Sequence, residues 1–487
     1  MICISVTPES RKLAKVDLLN ASRHGDLIEL CLDHLVKEPD ITDLLGAVDK
    51  PIIVSCRRPQ EGGHWKGTDE QRTTLLRQAI VAGPAYIELD LDIAKSIPRF
   101  GDTKRVISYT SLDKPLGKID SVFEQAAKAN ADVVKFTWPT ATLDGAWPLL
   151  AAVTQKREIP VVGMGFGEAS LMFSLLGRKY GSPWIYAALE KGMEAHPGQP
   201  TAFELDELYD WNAITPQTRF VGLFGYGPAE PTTVRVLNAG FRALDLNLRC
   251  LPLRLSETDR LAKMLDVLRI NSILVAPALG GQLLGFAGSA EDAATGAQYS
   301  DLLLKQSDGW HAYNLLWRSA LQAVETALGK KSSGDRPLDR RNVLLIGANV
   351  TAQSIAYGIK RRKGILSISA PAEDKAKHVA ELLDCRHVPF ANLYDTLADV
   401  VVITDPNIGI GHRKSEFNPS YLRPHMTVLD VCRMPERSDL SADAAGRGCN
   451  LVEPSNLFAD QISAQFEAVT GKPMPPEVLA DSWSAQD

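Results

Sequence analysis

A lysine within an apolar run is the residue of this sequence whose type and setting best suit chemistry. Lys135 follows two valines in ADVVKFTWP, and we expect it to stand at the end of a strand. One explanation is an edge residue whose aliphatic stem lies on apolar surface while the ammonium reaches water. In a (β/α)8 barrel, however, a lysine at the carboxyl end of a strand faces the mouth. Desolvation there lowers the pKa of the amine and makes it a nucleophile.

The elements around Lys135 favour the barrel. Short β-prone runs alternate with helical stretches over the first two hundred residues, which indicates eight strands with intervening helices. We therefore predict an α/β fold whose N-terminal part, residues 1–215, is a (β/α)8 TIM barrel. The strand candidates are ICISV, DLIELCL, PIIVSC, AYIELDL, RVISY, DVVKF, PVVGM and PWIYAAL.

A second α/β pattern begins at FVGLFGY, after residue 215. We predict a two-lobed module, with one lobe at 216–335 that also receives a C-terminal helix, 455–487. The polar stretch KKSSGDRPLDRR is expected to be a linker or long loop. The strand VLLIGA then opens a Rossmann-type doubly wound lobe at 336–454, with further strands in LADVVVITDP and MTVLDVC.

The composition is that of a globular protein. The 487 residues are 45% hydrophobic and 23% charged, with a net charge of -6, which argues against nucleic acid or an anionic membrane as partner. The N-terminus has no signal-peptide pattern, so we expect a cytoplasmic protein. Seven cysteines without paired spacing predict reduced thiols, with neither disulfides nor a metal site.

Residues 1–200 contain four motifs that resemble, in order, those of the type I 3-dehydroquinate dehydratases. They are DLIELCLDHL, CRRPQEGG, ADVVKF and HPGQ. The resemblance implies that Lys135 forms an imine with a substrate ketone and that Glu61 takes part in catalysis as a polar organiser. It also implies substrate contacts from Glu29, Arg57 and Gln199.

Several positions depart from that family's pattern. Thr110 stands where the family has a proton-transferring histidine, and a threonine does not titrate near neutral pH. Two arginine positions are Cys31 and Ser174, and a serine of the covering loop is Ala195. One of three histidines could replace the missing one, although each also fits an ordinary polar role: His34, His64 and His196.

From about residue 218 the chain resembles the shikimate dehydrogenases, including long fused forms. The resemblance implies substrate contacts from Thr233, Asn314 and Gln461, although Gln461 fits a helix surface equally well. The family's catalytic lysine and aspartate positions are Leu279 and Leu316, and neither leucine can accept a hydroxyl proton. We therefore expect impaired shikimate oxidation.

The nucleotide-binding turn is also altered. Its candidate cofactor contacts are Gly347, Ala348, Asn349 and Ala352, but only the first glycine of the expected glycine-rich turn is present. The segment SISAPAED lacks the basic group that would bind an NADP 2'-phosphate. We therefore expect NADP to bind weakly or not at all.

The resemblances together imply a bifunctional shikimate-pathway protein, acting on a small cyclic carboxylate as lyase and oxidoreductase, with a homodimer as the expected assembly. Two alternatives stay open. One is a non-catalytic or regulatory homologue that binds a cyclic carboxylate. The other is an imine-forming lyase adapted to a different keto acid.

Overall fold

The computed structural model describes residues 1–116, 119–256, 260–331, 334–408 and 417–484. The chain divides into two compact units. The first comprises Met1–Arg219 and Asn247–Leu261, and the second Phe220–Leu246 and Ala262–Asp487. Part of the expected linker, residues 332–333, lies outside the described residues.

The first unit contains eight parallel strands, and all eight strand candidates are confirmed. They are β1 (Ile2–Val6), β2 (Leu27–Cys31), β3 (Ile52–Ser55), β4 (Tyr86–Asp90), β5 (Lys104–Thr110), β6 (Val133–Pro139), β7 (Val161–Phe166) and β8 (Ile185–Ala188). Strand β1 pairs with both β2 and β8, so the first and last strands are neighbours as in a (β/α)8 barrel.

Helices separate most of these strands. They are α1 (Arg11–His24), α2 (Ile41–Leu45), α3 (Asp69–Ala82), α4 (Asp120–Lys128), α5 (Leu143–Thr154) and α6 (Ser170–Lys179). The strands are buried along nearly their whole length, which explains their continuous apolar runs. One apolar core cluster draws its members from most of the strands, and it includes Cys3, Leu27, Ile53, Val106, Val162 and Tyr186.

The second unit begins with a mixed sheet. Its strands are β9 (Arg219–Phe224), β11 (Ser272–Val275), β12 (Ser289–Ala290), β13 (Leu302–Gln306) and β14 (Gly309–Tyr313), and the intervening β10 (Leu248–Leu253) belongs to the first unit. Strands β9 and β11 are parallel, whereas β13 pairs antiparallel with β11 and β14. The accompanying helices are α7 (Glu230–Ala243), α8 (Leu261–Leu268), α9 (Asp292–Ala297) and α10 (Leu316–Leu328).

The second sheet of this unit is wholly parallel. Its strands are β15 (Asn342–Ile346), β16 (Ile365–Ser369), β17 (Arg386–His387), β18 (Val400–Ile403), β19 (Thr427–Asp430) and β20 (Asn450–Val452). Their order, β17-β16-β15-β18-β19-β20, is the 3-2-1-4-5-6 order of a Rossmann sheet. The predicted doubly wound lobe is therefore confirmed, with helices α11 (Val350–Arg361), α12 (Glu373–Leu382) and α13 (Asp439–Gly446).

The expected single C-terminal helix is instead two, α14 (Pro454–Thr470) and α15 (Pro476–Ser484). Gly471 ends α14 with a left-handed φ of 70°, and the prolines that follow cannot continue a helix. Both helices pack against α7. Across the described ranges, no helix is long and apolar enough to cross a membrane.

Candidate functional site

Lys135 lies inside the barrel between two glutamates. Its Nζ donates to Glu88 Oε2 at 2.8 Å and to Glu29 Oε1 at 3.3 Å, and it stands 4.4 Å from the centre of the Tyr186 ring. The sequence predicted that Lys135 stands at the end of its strand, and this is wrong. Strand β6 continues past the lysine to Pro139 and pairs there with β5 and β7. Strands β2, β4, β6 and β8 thus supply one buried cluster, which we call the lysine cluster: Glu29, Glu88, Lys135 and Tyr186.

The charges in the lysine cluster set each other's protonation. Burial alone would lower the pKa of Lys135, but Glu29 and Glu88 outweigh it and hold the pKa well above its ordinary value. The expectation of a lowered lysine pKa is therefore wrong. Burial would raise the pKa of Glu29, but Lys135 and Arg57 hold it below its ordinary value.

Glu88 behaves differently from Glu29. Burial and the negative charge of Glu29 raise the pKa of Glu88, although Lys135 opposes the change. Two carboxylates that share one ammonium are expected to separate in this way, because both cannot ionise equally well. Glu88 is thus the better proton acceptor of the two, and it lies at hydrogen-bond distance from the lysine.

Gln199 joins the lysine cluster through a serine. Its Nε2 donates to Ser5 Oγ at 3.1 Å, and Ser5 Oγ donates to Glu29 Oε2 at 2.9 Å. The Gln199 Oε1 accepts the N–H of Ala195, so the side chain also holds the segment that contains HPGQ. The structure therefore brings together three residues that are far apart in sequence: Glu29, Lys135 and Gln199.

Arg57 occupies a second buried group next to the glutamates. Its Nη1 donates to His196 Nε2 at 2.7 Å, and its Nη2 lies 3.2 Å from Cys31 Sγ. A guanidinium has no acceptor, so the His196 Nε2 must carry a lone pair and the ring must be neutral. Burial, Arg57 and Lys135 each lower the pKa of His196, which agrees with that protonation state. Phe166 stacks on the histidine ring at 5.9 Å.

Glu61 pairs with Arg58, whereas Lys135 donates to Glu29 and Glu88. The Glu61 carboxylate accepts from the Arg58 side chain, including Nε at 2.9 Å, and from the Arg58 N–H at 3.0 Å. Arg58 also forms an ion pair with Asp92 at 3.0 Å. The organising role expected of Glu61 stays a prediction, and its contacts indicate an effect on the loop after β3.

The substituted family positions have ordinary local contacts. Thr110 ends β5, beside Thr137 of β6, and is half-buried. Ser174 is buried on α6, where its hydroxyl donates to the Ser170 carbonyl at 3.2 Å. Neither side chain carries a group that could move a proton at neutral pH or bind a carboxylate by two parallel bonds.

Sequence reasoning missed Glu88, Ser5 and Tyr186. A signal was present for Glu88, because AYIELDL and DLIELCL share an Ile-Glu-Leu pattern in which one acidic residue interrupts a buried strand. Nothing local marks Ser5 or Tyr186. Their place beside Glu29 and Lys135 follows from barrel closure, which puts β1 next to β8.

In the second unit the predicted substrate residues have structural partners. Asn314 is buried and donates to the Ala293 carbonyl, while its Oδ1 accepts from Ser354. Gln461 is 1% exposed, so the surface alternative for it is wrong, and its Nε2 donates to Asp301 at 2.9 Å. Thr233 is buried on α7 and donates to the carbonyl of Ala229, the residue that precedes this helix.

The two leucines of this unit differ in burial, since Leu279 is half-buried and Leu316 is wholly buried. Leu279 packs so closely on Gly225 that a Cβ at that glycine would lie 2.1 Å from the leucine side chain. Leu316 is wholly buried at the start of α10, and its N–H donates to Asp301 Oδ2 at 2.9 Å.

The turn after β15, where the sequence predicts the cofactor contacts, is held by hydrogen bonds of the Asn349 side chain. Asn349 caps α11 by accepting the Ala352 N–H at 2.9 Å, and its Nδ2 donates to the Thr404 carbonyl at 2.6 Å. Gly347 has φ 132°, and a Cβ there would lie 2.2 Å from Thr404 Oγ1, so this position needs glycine. Ala348 is half-buried. One of the N–H groups at the start of α11, that of Ala352, is thus already bonded to the Asn349 side chain.

Comparisons with known proteins agree with this division. Residues 2–216 match the family model of type I 3-dehydroquinase. The chain is 26% identical over 518 residues to the bifunctional 3-dehydroquinate dehydratase/shikimate dehydrogenase, chloroplastic, of Arabidopsis thaliana, covering 98% of this chain and 83% of the relative. The 3-dehydroquinate dehydratase of Methanocaldococcus jannaschii is 28% identical over 218 residues, which is 43% of this chain and 97% of that one.

Solved structures are more distant. A dehydroquinate dehydratase and shikimate dehydrogenase structure from S. pombe covers 99% of this chain and 97% of its own, at 18% identity and a TM-score of 0.44. A shikimate dehydrogenase from Aquifex aeolicus covers 55% of this chain and 98% of its own, at 18% identity and a TM-score of 0.49.

Proposed function

Since this chain belongs to the fused family that joins a type I 3-dehydroquinate dehydratase to a shikimate dehydrogenase, we propose that its first unit dehydrates 3-dehydroquinate through an imine on Lys135. The observation that carries the proposal is the burial of Lys135 between Glu29 and Glu88. A buried lysine with a proton acceptor in contact is the arrangement that covalent catalysis on a ketone requires.

The lysine must first lose a proton. Glu88 takes it across the 2.8 Å hydrogen bond, which its raised pKa favours, and leaves a neutral amine beside a neutral carboxyl group. The amine nitrogen then attacks the ketone carbon, and the carbonyl oxygen accepts a proton to give a carbinolamine. Loss of that oxygen as water forms the imine, whose positive charge lies beside Glu29.

The imine makes the adjacent C–H bond acidic. A base removes that proton, the electron pair forms the carbon–carbon double bond, and the neighbouring hydroxyl leaves with a proton as water. Hydrolysis of the imine then restores the ketone and the lysine. Each step moves a proton, and Thr110 cannot supply or accept it near neutral pH.

His196 is our candidate for this acid/base role. It is buried, neutral and bound through Nε2 to Arg57. Arg57 is also the expected substrate contact, and turning its guanidinium to a substrate carboxylate would free the Nε2 lone pair. This differs from the family pattern, in which the strand that ends at Thr110 supplies the histidine.

For the second unit we propose a shikimate dehydrogenase-like module with little or no shikimate oxidation. Leu279 and Leu316 offer no acceptor for the hydroxyl proton. The turn also does not fit NADP as it stands, because the Asn349 side chain occupies the Ala352 amide and Glu373 follows β16 where a 2'-phosphate needs a cation. A cytoplasmic location and a homodimer stay predictions.

Steady-state assays of both activities on the full chain test these proposals. We expect wild type to convert 3-dehydroquinate to its conjugated product, Lys135→Ala to abolish the conversion, and neither protein to reduce NADP with shikimate. Turnover by Lys135→Ala would contradict the imine mechanism, and shikimate-dependent NADPH formation would contradict the argument from the second unit.

A second candidate function is imine-forming lyase chemistry on another keto acid. It is favoured by the loss of two expected cationic contacts, at Cys31 and Ser174, which would alter the recognition of a carboxylate. Borohydride trapping with a panel of cyclic and linear keto acids distinguishes the two functions, because 3-dehydroquinate labels the protein at the lowest concentration only under the first.

A further inference from the structure

Two histidines and an aspartate meet on the loops that follow β2 and β3. Asp33 and His34 come directly after β2, and His64 lies beyond β3. One ligand atom from each of the three side chains lies within 4.8 Å of the other two. These loops stand at the carboxyl ends of barrel strands, the face on which (β/α)8 barrels place functional groups.

The aspartate is held in place by the backbone. Its side chain is wholly buried, its Oδ1 accepts the Arg57 N–H at 3.1 Å, and its Oδ2 accepts the His64 N–H at 2.9 Å. Each carboxylate oxygen has a second lone pair. Asp33 therefore holds the backbone in place at Arg57 and at His64, and its carboxylate oxygens can still accept further bonds.

The histidine next to it has a nitrogen without a partner. His34 Nε2 is buried and makes no hydrogen bond to any described residue, and it stands 3.7 Å from Asp33 Oδ2, too far for a hydrogen bond. The His34 and His64 rings lie 4.2 Å apart between centroids. A buried imidazole nitrogen without a partner is unfavourable unless something binds it.

The distances suit a metal ion better than direct bonds. Ligand atoms about 2.0 Å from a tetrahedral ion lie roughly 3.3 Å from one another. The 3.7 Å separation of His34 Nε2 and Asp33 Oδ2 is close to that value, and the exposed His64 side chain can rotate to complete the set. Two imidazoles and one carboxylate are a common zinc ligand set with one open position.

We propose that Asp33, His34 and His64 form a binding site for a divalent ion of the zinc class at the mouth of the barrel. The site does not depend on the proposed function. It was missed in the sequence because the search for metal ligands rested on cysteine spacing, whereas His34 and His64 are thirty residues apart and meet only through the adjacent strands.

Zinc binding to the full-length protein, stripped with a chelator and dialysed, tests the proposal. We expect one tight equivalent of Zn²⁺ in competition with a chromophoric chelator. His64→Asn and His34→Gln should each weaken it by at least roughly 100-fold, because even partners of metal ligands contribute roughly 10- to 100-fold. His24→Asn, an exposed histidine at the end of α1, is the matched control and should bind as wild type does.

Cobalt adds a spectroscopic readout of which atoms bind the metal. Co²⁺ at the site should give the visible bands of nitrogen and oxygen ligation, and these should disappear in His64→Asn, whose side chain is exposed. Absence of tight Zn²⁺ binding by wild type, unchanged affinity in both histidine variants, or a thiolate charge-transfer band that places the metal on cysteine would each overturn the proposal.

Discussion

Both units of the molecule bury carboxylates, but they give them different partners. In the first unit Glu29 and Glu88 face the ammonium of Lys135. In the second, Asp301 is wholly buried and accepts the N–H groups of Leu315 and Leu316 and the amide of Gln461. We call the second group the aspartate cluster: Asp301, Leu315, Leu316 and Gln461.

The partners give the two clusters opposite titration behaviour. The pKa of Glu29 is held below its ordinary value, because Lys135 and Arg57 outweigh burial. Burial raises the pKa of Asp301 to about 6, although hydrogen bonds from N–H donors, including those of Leu315, Gln461 and Leu316, oppose it. The ammonium of Lys135 keeps a buried carboxylate ionised and becomes a nucleophile when it loses a proton. Asp301 instead accepts neutral N–H groups at the start of α10, and these donors provide no nucleophile. Burial of an acid therefore does not by itself indicate a catalytic site.

Removal of the cation is expected to produce the largest effect. Lys135→Met leaves Glu29 and Glu88 buried without a positive partner, and we expect the free energy of unfolding of the first unit to fall by roughly 3–5 kcal/mol at pH 7. Denaturant unfolding, followed by a probe of the barrel, measures the change. Lys135→Met combined with Glu88→Gln should recover part of the loss, and a single variant as stable as wild type would show that the glutamates do not depend on the lysine.

Acidity should affect the aspartate cluster in the opposite sense from a salt-bridged acid. The folded pKa of Asp301, about 6, lies above the ordinary value of 3.8, so its contribution to stability is fully present below the ordinary value and is lost as the pH rises through 6. The loss is roughly 3 kcal/mol, since one pKa unit corresponds to about 1.4 kcal/mol.

The difference between wild type and Asp301→Asn isolates this contribution from that of other acids. We expect the free energy of unfolding of the second unit to decrease from pH 4 to pH 7 relative to the asparagine variant, in which residue 301 does not titrate. A parallel pH dependence of the two proteins would contradict the raised pKa.

Replacement of His196, the histidine beside Arg57, should produce a somewhat smaller effect, and on the rate alone. His196→Asn removes the candidate acid/base group but keeps a polar side chain beside Arg57, and we expect kcat for 3-dehydroquinate to fall by roughly 100-fold. The pH profile of kcat should also lose one limb. Phe166→Leu, which removes the stacked ring and keeps the histidine, is the control and should retain both limbs. Equal pH profiles in His196→Asn and wild type would exclude this role.

Much of the fold could be predicted from the sequence because buried parallel strands leave continuous apolar runs. All eight barrel strands and the start of the Rossmann sheet at β15 were evident in this way. The C-terminal helix was predicted as one element because its amphipathic pattern obscures the interruption at Gly471. The helical propensity of this segment does not outweigh Gly471 and the prolines that follow it, which end the first helix.

The candidate site was predictable only in part. Lys135 was identified because it is a charged residue in an apolar strand, and family motifs pointed to Glu29, Arg57 and Gln199. Pairwise contacts were not predictable, because they depend on which strands become neighbours and how far each continues. For the same reason the protonation of Lys135 was predicted in the wrong direction, since Glu88 was not known to lie 2.8 Å away.

Borohydride trapping tests the central claim most directly. The full-length protein is incubated with 3-dehydroquinate and sodium borohydride, and intact mass and peptide mapping locate any adduct. The imine mechanism predicts that one reduced adduct forms on Lys135 in wild type and none in Lys135→Ala. An unmodified wild-type protein, or an adduct that persists in Lys135→Ala, would contradict the assignment of Lys135 as the nucleophile.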